Sequence, residues 1–248
     1  MITKLYQGKV VIDFDPEKHI FWDKNNQRIL GVTSCTGIID KSRPLMIWAV
    51  RLAIDYLRNK WLGDKETPII TEEDFVIASK QHTIRKKEAA DIGTKIHDWV
   101  ELWIKGKNPE APVEPQVMNG VNAFLKWVKE TKIKLRNSET IVYSKKNDFA
   151  GIMDAEGKMG KENVIIDFKS SKAIYSEYRY QLAAYWLARE EETKKKFDGG
   201  WIIRFGKDDG EFTTTYIPRK EYEKDKIAFL ATLAIKRREN ELIREFNR

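Results

Sequence analysis

One cysteine, Cys35, stands in a chain of 248 residues. That excludes a disulfide within the chain and any zinc or iron–sulfur site built on four cysteines. No apolar run approaches the ~18 residues of a membrane-spanning helix, so no membrane partner is expected. The first 17 residues have no apolar core segment and carry Asp13, Asp15 and Glu17, which argues against a secretory or organelle-targeting peptide. No glycine loop of the Walker type is present, so an ATP-driven motor is not expected. Histidines number three, and His19 and His82 lack metal-ligand spacing. Cys35 has no partner motif and reads as a small buried residue. Neither repeats nor a linker rich in Pro, Gly or Ser interrupts the chain.

Hydrophobic residues make up 42%, enough for a core, and the length suits one large domain or two small ones. Lys and Arg number 45 against 38 Asp and Glu, a net charge of +7. Such a balance permits a nucleic-acid partner without establishing one. The basic clusters Arg85-Lys86-Lys87, Lys194-Lys195-Lys196 and Lys236-Arg237-Arg238 could meet phosphates, although acids adjoin each, as on ordinary solvated helices.

The opening predicts a small β-hairpin from Lys9–Phe14 and His19–Trp22, with turn residues at 23–26. A helix is expected from about Pro44, with Ile47, Val50, Ile54, Leu57 and Trp61 on one buried face and Asp55 and Asn59 on the wet side. A mostly helical stretch from Thr71 to Lys105 follows, its stripe formed by Ile92, Ile96, Trp99 and Trp103. Another helix fits Gln116 to Lys132. Strands then cluster at 140–143, 151–155 and 164–168, with a Gly-containing turn over 156–161. A helix over about 176–196, a hairpin of 201–205 with 212–217, and a charged C-terminal helix after Pro218 complete the pattern. The expected fold class is α/β, a central mixed sheet flanked by helices, with an N-terminal hairpin and helical additions. One domain is expected over 1–248: hairpin 1–31, helical part 32–135, catalytic sheet and helix 136–217, and C-terminal helix 218–248.

The middle strands carry the chemistry. Asp154 follows Ile152-Met153, and Asp167-Phe168-Lys169 ends the apolar run Val164-Ile165-Ile166. In a strand, i and i+2 share a face, so Asp167 and Lys169 point together. If the strands pair across the 157–161 turn, Asp154 comes close to Asp167. Two carboxylates offer hard oxygen ligands for Mg²⁺ or Mn²⁺. Such an ion binds a phosphate oxygen and acidifies a bound water, while a lysine offsets transition-state charge. The acid-x-Lys pattern alone is weak, because Glu130-Lys132, Glu156-Lys158 and Glu192-Lys194 also fit it and surface ion pairing explains them. The buried strand before Asp167 sets it apart, since a charged pair there costs desolvation unless something compensates.

The runs Gly151-Ile152-Met153-Asp154, Ile165-Ile166-Asp167-Phe168-Lys169-Ser170-Ser171-Lys172 and Tyr180-Gln181-Leu182-Ala183-Ala184-Tyr185 together resemble the RecB-like branch of the PD-(D/E)XK nucleases. Gly93-Thr94-Lys95-Ile96-His97 matches the upstream histidine motif of that branch. Val32-Thr33-Ser34 with Trp48 is similar to phage and mitochondrial-genome-maintenance exonucleases within it. The likeness spans about residues 32–205 and implies a restriction-endonuclease-like core.

The resemblance implies roles. Asp154 and Asp167 would hold the metal, with the Phe168 carbonyl a third ligand and His97 a further one or a neighbour. Lys169 would be the catalytic lysine. Gln181 and Tyr185, at i and i+4 on one helix face, would contact DNA or support that lysine, with Tyr180 and Lys172 beside them. Read without the family, His97 is better explained as a polar surface residue or a satisfied core residue than as part of a site. Glu139 could be an outer acid, though a surface position fits it better. The implied activity is a Mg²⁺- or Mn²⁺-dependent DNA exonuclease of recombination or repair, without an iron–sulfur cluster, in the cytoplasm of a bacterial or phage-infected cell. Its substrate would be single-stranded or duplex DNA ends, and no partner protein is identified. The rival readings are a structure- or site-specific endonuclease and an idle DNA-binding accessory module.

Overall fold

The alternating apolar residues of the first 31 residues build four short strands: β1 (Ile2–Leu5), β2 (Val10–Asp15), β3 (Ile20–Asp23) and β4 (Arg28–Gly31). The computed structural model describes residues 1–63 and 69–247. These strands run as an antiparallel meander rather than the expected single hairpin, and their inward residues Leu5, Ile12, Phe14, Phe21 and Ile29 form a small core. A one-turn helix α1 (Val32–Thr36) follows, and then the long helices α2 (Ser42–Gly63), α3 (Glu72–Ile104) and α4 (Pro115–Thr131).

The central strands are β5 (Lys134–Arg136), β6 (Thr140–Ser144), β7 (Phe149–Met153), β8 (Ala155–Met159) and β9 (Glu162–Lys169). Helix α5 (Ser176–Thr193), β10 (Gly199–Phe205), β11 (Phe212–Pro218) and helix α6 (Arg219–Phe246) complete the chain. Arg248, the last residue of the expected C-terminal helix, lies outside the described residues. No helix of the described residues is long and apolar enough to cross a membrane.

The fold is mixed α/β, as expected, but its strands form two sheets. One has the order β1-β2-β3-β4-β7-β6 and the other β11-β10-β9-β8-β5. Both are mixed: β4 pairs parallel with β7, and β9 parallel with β10. The strand expected over 151–155 is split. Phe149–Met153 belongs to one sheet and Ala155–Met159 to the other, and Asp154 is the residue between them. The turn expected over 156–161 shrinks to Gly160-Lys161, because Glu156 to Met159 continue as strand. Their alternation decides this: Ala155 and Gly157 are small enough for a strand sandwiched between β5 and β9.

The five-stranded sheet is covered on both faces, so β9 reads as a nearly continuous buried run. Ile165 faces a core of Val32, Phe149, Met153, Leu182, Trp186, Ile202 and Phe229, supplied by both sheets, α1, α5 and α6. Phe168, of opposite parity, meets the rings of Phe124 and Trp127 on α4 and Phe205 on β10.

The described residues divide into two compact units, 1–39 with 96–248, and 40–95. Within 40–95 the expected buried face of α2 is overturned. Ile47, Val50 and Trp61 are each 54% exposed, and Ile54 is 49% exposed. Leu57 of that face is half-buried, as are Leu52, Asp55 and Tyr56, and Asn59 is exposed as expected. Leu52, Tyr56 and Lys60, with Asp55 and Asn59, line a cleft shared with Gln81 and Arg85 of α3. Lys60 pairs with the buried Asp74 of α3, and the Tyr56 hydroxyl donates to it at 3.4 Å. Polar anchoring, rather than the apolar stripe, therefore orients α2.

Candidate active site

Strand β9 brings Asp167 into the interior. It follows three fully buried residues, Val164, Ile165 and Ile166, and is itself 1% exposed. Strand parity turns Asp167 and Lys169 toward α5, as the sequence predicts, and Phe168 toward α4. The Lys169 ammonium lies 2.6 Å from Asp167 Oδ2. Among the described residues neither oxygen of Asp167 accepts a well-directed hydrogen bond. The pair is close in charge but poorly aligned, so these buried oxygens keep coordinating capacity. Carboxylate oxygens without donors fit a hard divalent cation.

Asp154 occupies the seam between the two sheets. Its Oδ2 accepts the Phe168 N–H at 2.6 Å, and its carbonyl accepts the Glu139 N–H at 3.0 Å. The ladder of β8 and β9 places Ala155 opposite Ile166, so Asp154 falls next to Asp167 as the sequence predicts. Gly151, one turn of the pattern earlier, lets β7 lie close beneath α5. A Cβ there would meet Tyr185 Cε1 at 2.6 Å and Val32 Cγ2 at 2.9 Å.

His97 joins this group from α3. Donor atoms of His97, Glu139 and Asp154 all lie within 4.8 Å of one another. His97 Nδ1 is 3.9 Å from Glu139 Oε1, and the His97 ring meets the edge of Phe168 at 6.4 Å. Glu139 takes φ 48°, a left-handed conformation unusual for a glutamate, at the corner just before β6. The geometry thus sorts the residues into a triad, His97–Glu139–Asp154, and a neighbouring pair, Asp167–Lys169.

The electrostatics follow from burial. Burial first, and then the Asp154 charge, push the Asp167 carboxyl up to about 7 against the pull of Lys169. Asp154 is raised for the same first reason, despite His97 and Lys169. Burial pulls the His97 imidazole down, but Glu139 and Asp154 outweigh it and hold it above its ordinary value. Burial likewise disfavours charged Lys169, yet Asp167 and Asp154 keep it protonated. The cluster is a set of acids crowded in a low dielectric, the state that a bound cation relieves.

The remaining predicted residues divide. Tyr185 is buried on α5 and hydrogen-bonds Gln181; burial first, and then Asp167 and Asp154, raise its phenol well above the ordinary value. Both belong beside the acids. Tyr180 packs against the hydrophobic core, and Lys172 is exposed beyond the end of β9. One contributor escaped the sequence reading, and another was named there but set aside as surface. Tyr178 presents its ring 5.0 Å from the Lys169 ammonium, a cation–π contact. Glu139 looked like surface, because a single acid before a strand carries no local signal in so charged a chain.

No family model matches the chain, and no curated protein matches it. Among solved structures the chain is similar to an alkaline exonuclease (LHK-Exo) from Laribacter hongkongensis, at 15% identity and TM-score 0.37. A complex of LHK-Exo with dAMP aligns at 15% identity and TM-score 0.38, and both alignments cover 86% of this chain and 94% of the other. SSO0001 aligns at 14% identity and TM-score 0.31, covering 77% of this chain and 85% of the other.

Proposed function

We propose that the protein is a Mg²⁺- or Mn²⁺-dependent DNA exonuclease of the RecB-like type, with 1–248 as one nuclease domain. The observation that carries this reading is the buried Asp167–Lys169 pair set against the His97–Glu139–Asp154 triad. Asp154, Asp167, His97 and the Phe168 carbonyl would hold the metal. A divalent cation bound there supplies Lewis acidity and a more acidic water. Lys169, kept protonated by its acidic neighbours, places positive charge where the phosphodiester gains negative charge. Tyr178 and Asp167 fix the direction of that ammonium. Gln181 and Tyr185 line the α5 side and support the acids. DNA is the substrate, its phosphates met by the basic residues outside the site, in recombination or repair within a bacterial or phage-infected cell.

The test is digestion of end-labelled linear and circular single-stranded DNA in Mg²⁺. Linear DNA should be degraded and circular DNA left whole. Asp167→Ala and Lys169→Ala should each lower the rate by about 10³-fold or more, with the melting transition retained. Full activity in both variants would overturn the reading, and cutting of the circle would make the enzyme an endonuclease.

A further inference from the structure

We propose that the small cleft at the carboxyl ends of β9 and β10 is a phosphate subsite, which holds a phosphate of the bound strand beside the bond being cut. This rests on the nuclease reading above. Strands β9 and β10 are parallel, with Arg204 opposite Lys169. Parallel strands end at the same edge of a sheet, so the residues that follow both of them converge there. Ser170 and Lys172 follow the catalytic lysine, and Lys207 follows β10; with Arg204 they line one cleft.

The lining is chosen for an anion. Lys172, Arg204 and Lys207 bring three positive groups, and Ser170 a hydroxyl. Two acids, Asp208 and Asp209, also line the cleft, each held by its own loop or helix, so the three cations leave the lining with a net positive charge. Asp208 Oδ1 accepts from Gln116 Nε2 at 2.9 Å, and Asp209 Oδ1 accepts the Glu211 N–H at 3.0 Å. Arg204 is steadied by its Nε donating to Thr213 Oγ1 at 2.7 Å. Ser171 turns its hydroxyl onto the Ala173 carbonyl at 2.7 Å, which fixes the loop after β9. Gly206 closes the other wall, since a Cβ there would meet Asp209 Oδ1 at 1.8 Å. Burial works against the Lys207 ammonium, Asp208 offsets part of that, and the charge of Lys172 opposes it again, which places the two lysines within electrostatic reach of each other. Two ammonium groups facing one cleft repel, and an anion between them turns that repulsion into charge-assisted hydrogen bonds.

Position identifies the anion. Lys172 is three residues beyond Lys169, a span of at most about 10 Å. Successive phosphates of a DNA strand lie farther apart than their axial rise of about 3.4 Å, so the cleft reaches a phosphate next to, or next but one to, the reacting one. The same chemistry would accept an internal phosphodiester or a terminal phosphomonoester.

The experiment is DNA binding by fluorescence anisotropy in EDTA, where no cutting is needed, for wild type, Lys172→Gln and Lys172→Gln/Lys207→Gln. Each lost lysine should weaken binding several-fold and flatten the plot of log K against log salt by about 0.7–0.9. Lys172 is exposed, so its single variant keeps the fold whatever the double variant does. Oligonucleotides with one neutral methylphosphonate linkage, or with the end phosphate removed, then locate the contact. At one position neutralisation should cost wild type about 10-fold and the double variant nothing. An internal position identifies a diester, and the end position a monoester. An unchanged salt slope in both variants, or equal losses in wild type and variant at every position, would overturn the subsite. If wild type binds in this manner but does not degrade linear DNA in Mg²⁺, the nuclease reading fails while the subsite stands.

Discussion

The helices of residues 40–95 and the sheets of the larger unit place their large apolar side chains in opposite ways. In the sheets and the helices that cover them, Phe149, Ile165, Trp186, Ile202 and Phe229 are all fully buried. On α2 and α3, Leu45, Met46, Ile47, Val50, Trp61 and Phe75 are all more than half exposed. Apolar spacing of the same quality predicts both regions. A 3.6-residue period identifies a helix, but it selects the buried face only where a partner surface competes for that face. On α2 the competition is settled by ions and hydroxyls: Lys60, Tyr56 and Thr71 all converge on Asp74.

The largest expected break of this contrast is in stability. Trp186 stacks on Tyr222 with ring centroids 4.2 Å apart and donates its indole N–H to Glu190 at 3.0 Å. Trp186→Ala should cost about 3–5 kcal/mol in urea unfolding. Ile47→Ala should change the same measurement by no more than about 0.5 kcal/mol. Similar costs at the two positions would mean that α2 is buried in solution.

The second effect is a dependence on pH. Asp167 titrates near 7 when folded and near 3.9 when unfolded. Between those values the folded chain holds a proton that the unfolded chain has lost. That stabilisation is complete below about pH 4 and is lost as pH rises through 7. Asp167→Asn removes the titrating group and keeps the shape. In metal-free buffer at pH 8 it should be more stable than wild type by an amount of order a few kcal/mol, and the two stabilities should converge only below about pH 4. A less stable Asn variant at pH 8 would show that the Lys169 ion pair outweighs the burial of Asp167.

A smaller effect is expected at the floor of the site. Gly151→Ala forces a methyl group against Tyr185 and Val32, and should cost about 1–3 kcal/mol. Because Tyr185 flanks the acids, the rate on linear DNA should fall further than the loss of folded protein explains. A rate that tracks only the folded fraction would separate Tyr185 from the chemistry.

The legible parts of the site were those written in one strand. Val164-Ile165-Ile166 announces a buried strand, and i, i+2 parity alone puts Asp167 and Lys169 together. The four long helices α3 to α6 likewise follow from apolar periods and their Gly and Pro boundaries. What long-range packing decides was not legible. The apolar run Phe149–Met153 passes into Ala155–Met159 through the single residue Asp154, with no proline or turn pair between them, so little local marks the change of sheet there. Glu139 comes to His97 through the corner before β6 and through its N–H bond to the Asp154 carbonyl, a contact between residues 15 apart in the chain. The inward side of α2 was misassigned because Asp74, its anchor, belongs to another helix.

The Gly160-Lys161 turn lies at the opposite end of the β8–β9 ribbon from Asp154 and Lys169. Gly160 adopts φ 59° there, and a side chain added to it would meet no neighbour. With strands rising about 3.3 Å per residue, this turn stands some 15–20 Å from the acids. The ribbon therefore has a register-bound end, where a single inserted residue would throw the carboxylates to the wrong face, and a free end, where added sequence leaves them in register. A label, a purification handle or a second protein module grafted between residues 160 and 161 would ride on the molecule without reaching its chemistry.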